Sequence, residues 1–97
     1  MKLRFTPRAT SDLTEIADFI RAESPQGARR VRDAILDSLQ VAAAFPRIGR
    51  RQSVESIRKL VTRRYGYIVY YMIDDALDEF VVITIQHPAR DRPMGDK

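Results

Sequence analysis

"YGYIVYYMIDDALDEFVVITI", residues 65–85, is the stretch on which the fold of this 97-residue chain turns. β-Branched and aromatic residues crowd both of its ends, and the acidic cluster "DDALD" (74–78) between them reads as a turn, so the spacing predicts two strands joined by a short connection. Within "YIVYYMI" the side chains of Tyr67, Val69, Tyr71 and Ile73 fall on one face, and those of Ile68, Tyr70 and Met72 on the other. Neither face is polar. Such a strand belongs in the middle of a sheet that is covered on both sides, by this chain or in part by a partner.

Working outward, "IRKLV" (57–61) supplies a third, weakly patterned strand, and the three together read as a meander. Upstream the period lengthens. Thr6 caps a helix with Pro7 at its first position, and Ala9, Leu13, Ile16, Ala17 and Ile20 draw one apolar stripe, with Asp12, Glu15 and Asp18 outside it. The same punctuation returns at Ser24 and Pro25, opening a helix striped by Ala28, Val31, Ile35, Leu39 and Ala42 until "FPRIG" (45–49) stops it. Two such helices joined by a few residues pack as an antiparallel hairpin. "KLRF" (2–5) alternates as a short N-terminal strand. The expected fold is therefore α+β: an N-terminal strand, an α-helical hairpin, then a three-stranded antiparallel meander packed on the helices. One hairpin covers one face of a sheet. The other face either curls over its own core or waits for another chain.

The length holds one core, so residues 1–93 are expected to form a single domain and "MGDK" (94–97) a loose tail. Absence of cysteine removes disulfides and thiolate metal sites and fits a reducing cytosol. No segment approaches the roughly 20 apolar residues of a membrane span, and the start lacks a signal-peptide pattern. The expected location is cytoplasmic, with no membrane partner. The net charge of +4 is unevenly distributed: between Pro46 and Tyr65 stand Arg47, Arg50, Arg51, Arg58, Lys59, Arg63 and Arg64 against Glu55 alone, so this segment carries +6 and the remainder −2. A field so concentrated favours an anionic partner, nucleic acid or an acidic protein segment.

The order of these elements, ending in a His-x-x-Arg corner, resembles the RelE/ParE superfamily of toxins from type II toxin–antitoxin (plasmid stabilisation) modules. The residues that carry the resemblance are "FTPRATSDLTEIADFI", "FPRIGR", "SIRKLVTRRYGYIVYYMIDD" and "VVITIQHPARD", which together span nearly the whole chain. It implies a small α+β toxin held inactive by an antitoxin. RelE-like members cut messenger RNA on the ribosome, whereas ParE-like members inhibit DNA gyrase.

RNA cleavage by 2′-OH attack needs a base, positive charge for the phosphorane, and an acid for the leaving oxygen. Arg90 matches the superfamily's arginine after the last strand. Ile68, however, stands where RelE-like enzymes carry a phosphate-binding arginine, and Asp96 where they often carry a catalytic tyrosine. His87 has the acid–base range for catalysis, but "HPARD" resembles ParE-like sequences more closely, and a structural histidine at the strand end is the favoured reading. The resemblance thus implies the ParE-like branch, a gyrase-binding inhibitor and not an enzyme, with no catalytic residues, no cofactor and no metal. Were the chain a ribonuclease, its catalytic residues would be His87, Arg90 and Arg64. A third reading is an inert toxin-derived partner in operon autoregulation.

For target binding the candidates are Arg58, Arg63, Arg64, Tyr65 and Arg90, whose cations make charge-assisted contacts to an anionic surface. Tyr65 reads equally as a stacking platform or as a rim aromatic. The expected partner is a ParD-like antitoxin, through which alone the toxin would touch DNA. Its disordered segment would fold on Phe19, Leu36 and Val41, which lie off the helix stripes, and on Arg58 and Arg63.

Overall fold

A computed structural model describes residues 1–90. The elements are β1 (Lys2–Phe5), α1 (Pro7–Arg21), α2 (Pro25–Ala44), β2 (Arg50–Arg51), β3 (Ile57–Val61), β4 (Ile68–Asp74) and β5 (Glu79–Gln86), with single 3-10 turns at Pro46–Ile48 and Pro88–Arg90. This is the expected order of strand, helical hairpin and antiparallel strands. Both helices start where the caps stand: the Thr6 hydroxyl accepts the Ala9 N–H at 3.0 Å and the Ser24 hydroxyl the Gly27 N–H at 2.9 Å. The proposed tail, 94–97, lies outside the described residues. Among the described helices none is long and apolar enough to cross a membrane.

The strands form one sheet in the order β1-β5-β4-β3-β2. Two features extend the expected meander. β2 is a two-residue edge pairing Arg50 with Lys59 and Arg51 with Arg58, too short to leave a periodic signal. β1 lies parallel to β5, so the first strand of the chain forms the edge beside the last, with both helices between them in sequence.

The helices cover one face. Val31, Ile35, Leu39 and Ala42 of α2 and Ala9 of α1 pack on Tyr67, Val69, Tyr71, Phe80, Val82 and Ile85, with Leu3 and Phe5 from β1. Each fully buried large side chain there contributes about 1.5–3 kcal/mol relative to exposure. On the opposite face sits a second, smaller apolar cluster of Ile57, Ile68 and Tyr70, with Met72 and Ile83 packed against it. The two apolar faces of β4 therefore serve two separate clusters.

A bulge in β5 makes this division possible. Tyr71 pairs with Val82 but Tyr70 pairs with Thr84, leaving Ile83 extra. Strict alternation after Phe80 and Val82 would send Thr84 to the helix side. The bulge sends Ile85 there instead.

Where β1 ends, the start of α1 takes over its hydrogen bonding to β5. The Thr6 N–H donates to the Val82 carbonyl at 3.0 Å, the Thr6 hydroxyl to the Ile83 carbonyl at 2.8 Å, and the Ile85 N–H to the Asp12 carboxylate at 3.0 Å. Strand and helix are thus fastened by groups that the helix cap already placed.

Candidate functional site

The sequence candidates gather mainly at one end of the sheet. β3 and β4 are joined by a turn that carries Arg63, Arg64, Tyr65 and Gly66, and pairing of Ile68 with Gln86 brings this turn beside the segment after β5. Thr62, 3% exposed, closes the turn with three bonds: its N–H donates to the Tyr67 carbonyl at 2.8 Å, its hydroxyl donates to the Arg64 carbonyl at 2.7 Å, and the same oxygen accepts the Tyr67 N–H at 2.9 Å. Within it Tyr65 and Gly66 both adopt left-handed backbone, at φ 67° and 65°. Glycine takes this conformation freely; for tyrosine it costs on the order of 1–2 kcal/mol. The Arg64 guanidinium lies 5.7 Å from the Tyr65 ring centroid, within cation–π range. Neither Arg63 nor Arg64 forms an ion pair among the described residues.

His87 stands next to this turn. Its ring meets Tyr67 edge-on, centroids 5.7 Å apart at 87°, and its Nδ1 accepts the Ala89 N–H at 3.1 Å. That bond leaves the proton of the neutral ring on Nε2 and uses His87 to start the 3-10 turn Pro88–Arg90. Among the described residues no hydrogen bond or ring contact joins His87 to Arg64. Arg90 completes the turn in the backbone; its side chain, like Asp96, lies outside the described residues.

Arg58 is placed elsewhere. It pairs with Tyr71 across the ladder and turns to the connection after α2, where its Nη1 donates to the carbonyls of Arg47 (3.2 Å) and Gly49 (2.9 Å). Tyr71 grips the same connection. Its hydroxyl donates to the Pro46 carbonyl at 2.6 Å and accepts the Gly49 N–H at 2.9 Å, while its ring stacks on Phe80 at 4.1 Å. Burial pushes the Tyr71 phenol above its ordinary pKa, against the opposing pull of the Gly49 hydrogen bond and the Arg58 charge; burial alone raises Tyr67. Beside this clasp the ladder opposes like charges, Arg50 to Lys59 and Arg51 to Arg58, an arrangement that costs stability.

Between α2 and β3 runs a groove of about 810 Å³. Ala34, Val41, Ala42, Ile48, Leu60 and Val61 form its apolar lining, with Arg63 and Arg64 on one border and Asp33 and Asp37 on the helix. Because the Thr62 N–H points to β4, the alternate residue Val61 directs its main-chain groups the other way, past the point where β2 has ended. Leu36 lines a different, smaller hollow of about 330 Å³ with Phe5, Leu13 and Ala17. Phe19 is 80% exposed and lines neither. The structure therefore unites Val41 with Arg63 and separates both from Phe19, Leu36 and Arg58. No group of three His, Cys, Asp or Glu among the described residues could hold a metal ion.

Sequence reasoning did not single out Thr62, Gly49 or the functional weight of Tyr71. A threonine between the apolar pair Leu60–Val61 and two arginines was the available signal for the first; the other two depend on a contact between residues over 20 positions apart.

The family model for the ParE toxin of type II toxin-antitoxin system, parDE, matches residues 3–92. Y4kP of Sinorhizobium fredii is 30% identical over 93 residues, 96% of this chain and 94% of that protein. Toxin RelE2 of Caulobacter vibrioides is 33% identical over 86 residues, covering 89% and 93%. Among solved structures, a chain of the chromosomal ParDE TA system from P. aeruginosa superposes with a TM-score of 0.75 at 22% identity, covering 90% of this chain and 95% of that one.

Proposed function

Since the chain belongs to the ParE toxin family of type II toxin–antitoxin systems, we propose that it acts by binding, as a DNA gyrase inhibitor neutralised by a ParD-like antitoxin. The observation that carries this reading is the environment of Ile68. RelE-like chemistry would need a cation there to meet the phosphate, yet Ile68 is 5% exposed inside the apolar cluster with Ile57, Tyr70, Met72 and Ile83. Ile68 therefore brings no charge to a phosphorane at that position, and the cations that share its face, Lys59 and Arg50, stand one and two strands away.

What the molecule does offer is contact surface. Arg63, Arg64 and Tyr65 form a cationic, aromatic turn beside an apolar groove. The antitoxin segment that fits has apolar side chains for Val41, Ile48 and Val61 and carboxylates for Arg63 and Arg64. A strand edge left open at Val61 gives it main-chain bonds as well. In this arrangement Arg58 contributes by holding the loop that carries Ile48, not by direct contact.

The likeness to toxin RelE2 favours a second reading, a ribosome-dependent messenger-RNA endonuclease using His87, Arg90 and Arg64. Inducing the toxin without antitoxin in growing bacteria separates the readings. Filamentation with a DNA-damage response supports gyrase poisoning; immediate translation arrest supports the nuclease; undisturbed growth supports an inert partner.

A further inference from the structure

Thr62 is a polar residue at a position that packing would give to valine. It is 3% exposed at the end of β3, and both functions of its hydroxyl are used inside the turn that follows. Valine has nearly the same shape and a higher strand preference, so volume and propensity do not account for the oxygen. The turn does. Tyr65 is held in left-handed backbone, and two of the bonds closing the turn around it, to the Arg64 carbonyl and from the Tyr67 N–H, converge on this one oxygen. Without them a bulky residue has every reason to leave that conformation, and the Arg64 guanidinium would part from the Tyr65 ring.

We propose that Thr62 is a positioning residue for recognition: its buried hydroxyl fixes the 62–67 turn so that Arg64 and Tyr65 are presented to the partner as one preassembled cation–aromatic unit. This rests on the reading that the turn is a contact surface. Preassembly removes the ordering cost that two long side chains would otherwise bring to binding. The strain at Tyr65 is thereby maintained from beneath, by a residue that touches no partner.

The test compares full-length Thr62→Ser, Thr62→Val and Arg64→Ala with the wild type in two measurements, residue-resolved amide exchange and growth arrest after induction. In Thr62→Val the Tyr67 amide should exchange about tenfold faster, as expected for one lost hydrogen bond, while Val69 and Tyr71 stay protected. Its growth arrest should weaken to the level of Arg64→Ala. Thr62→Ser, which keeps the oxygen, should match the wild type in both. Wild-type arrest by Thr62→Val, or equal impairment of the Val and Ser variants, overturns the proposal. If Thr62→Val does not fold, Thr62→Ala takes its place with the same expectations. If the wild type itself leaves growth undisturbed, the toxin reading fails instead, and antitoxin affinity replaces arrest as the readout: affinity lowered in Thr62→Val to the level of Arg64→Ala upholds the proposal, and wild-type affinity in Thr62→Val overturns it.

Discussion

The carboxylate of Asp12, on the first helix, accepts the main-chain N–H of Ile85, on the last strand, at 3.0 Å across 73 residues of sequence. It completes the hydrogen bonding of β5 just where the bulge at Ile83 and the end of β1 have interrupted it. Removing the acceptor leaves a main-chain donor in a part-buried place without a partner. Asp12→Ala should destabilise the fold by about 1.5–3 kcal/mol, and Asp12→Asn, which keeps an acceptor oxygen, by clearly less. Urea unfolding of the two variants checks both the size and the order.

Gly49 is required by close approach. A Cβ there would lie 2.5 Å from the Tyr71 hydroxyl and 3.0 Å from the Lys59 carbonyl, and Tyr71 cannot yield because it is stacked on Phe80 and bonded to Pro46. Gly49→Ala should cost about 1–3 kcal/mol. Tyr71→Phe, which loses the bonds to Pro46 and Gly49 but keeps the ring, should also lower the unfolding midpoint. A midpoint unchanged in both variants would mean that the clasp does not hold the loop.

Alkaline pH should act through the same tyrosines. Tyr67 and Tyr71 have phenols raised above the ordinary value near 10, so the unfolded chain loses those protons first. Stability is full below about pH 10 and falls as pH rises toward the folded-state values. In Tyr71→Phe the fall above pH 10 should be shallower than in the wild type, as thermal unfolding across that range would record.

Charge reversal should separate contact from support. Arg63→Glu, at the groove border, should weaken antitoxin binding about tenfold or more with little change in stability. Arg58→Glu loses its bonds to Arg47 and Gly49 and should lower the unfolding temperature. Calorimetric titration with the antitoxin, beside thermal unfolding of each free toxin, reads the two effects apart.

Local signals in the sequence were sufficient for both helices and for every strand but β2. Thr6 with Pro7 and Ser24 with Pro25 mark both helix starts, and aromatic and β-branched density marks β4 and β5. Tertiary relations were less legible. β2 is two residues long, and the bulge at Ile83 has its carbonyl met by Thr6, 77 positions away in sequence. At the site, Arg63, Arg64 and Tyr65 are neighbours in sequence and remain so in space. Leu36 and Val41, five residues apart on one helix, stand about 140° apart around it and so face different hollows. Arg58 looked like another free cation of the +6 segment because nothing local shows that two carbonyls 9 and 11 positions earlier would meet it.

The most direct measurement is a gyrase supercoiling and cleavage-complex assay with the purified toxin, run beside ribosome-bound messenger RNA. A toxin that grips its target through the Arg63–Tyr65 turn, without breaking bonds in it, should block supercoiling, accumulate cleaved gyrase–DNA complex and leave the messenger intact. Cut messenger with supercoiling untouched would contradict that account.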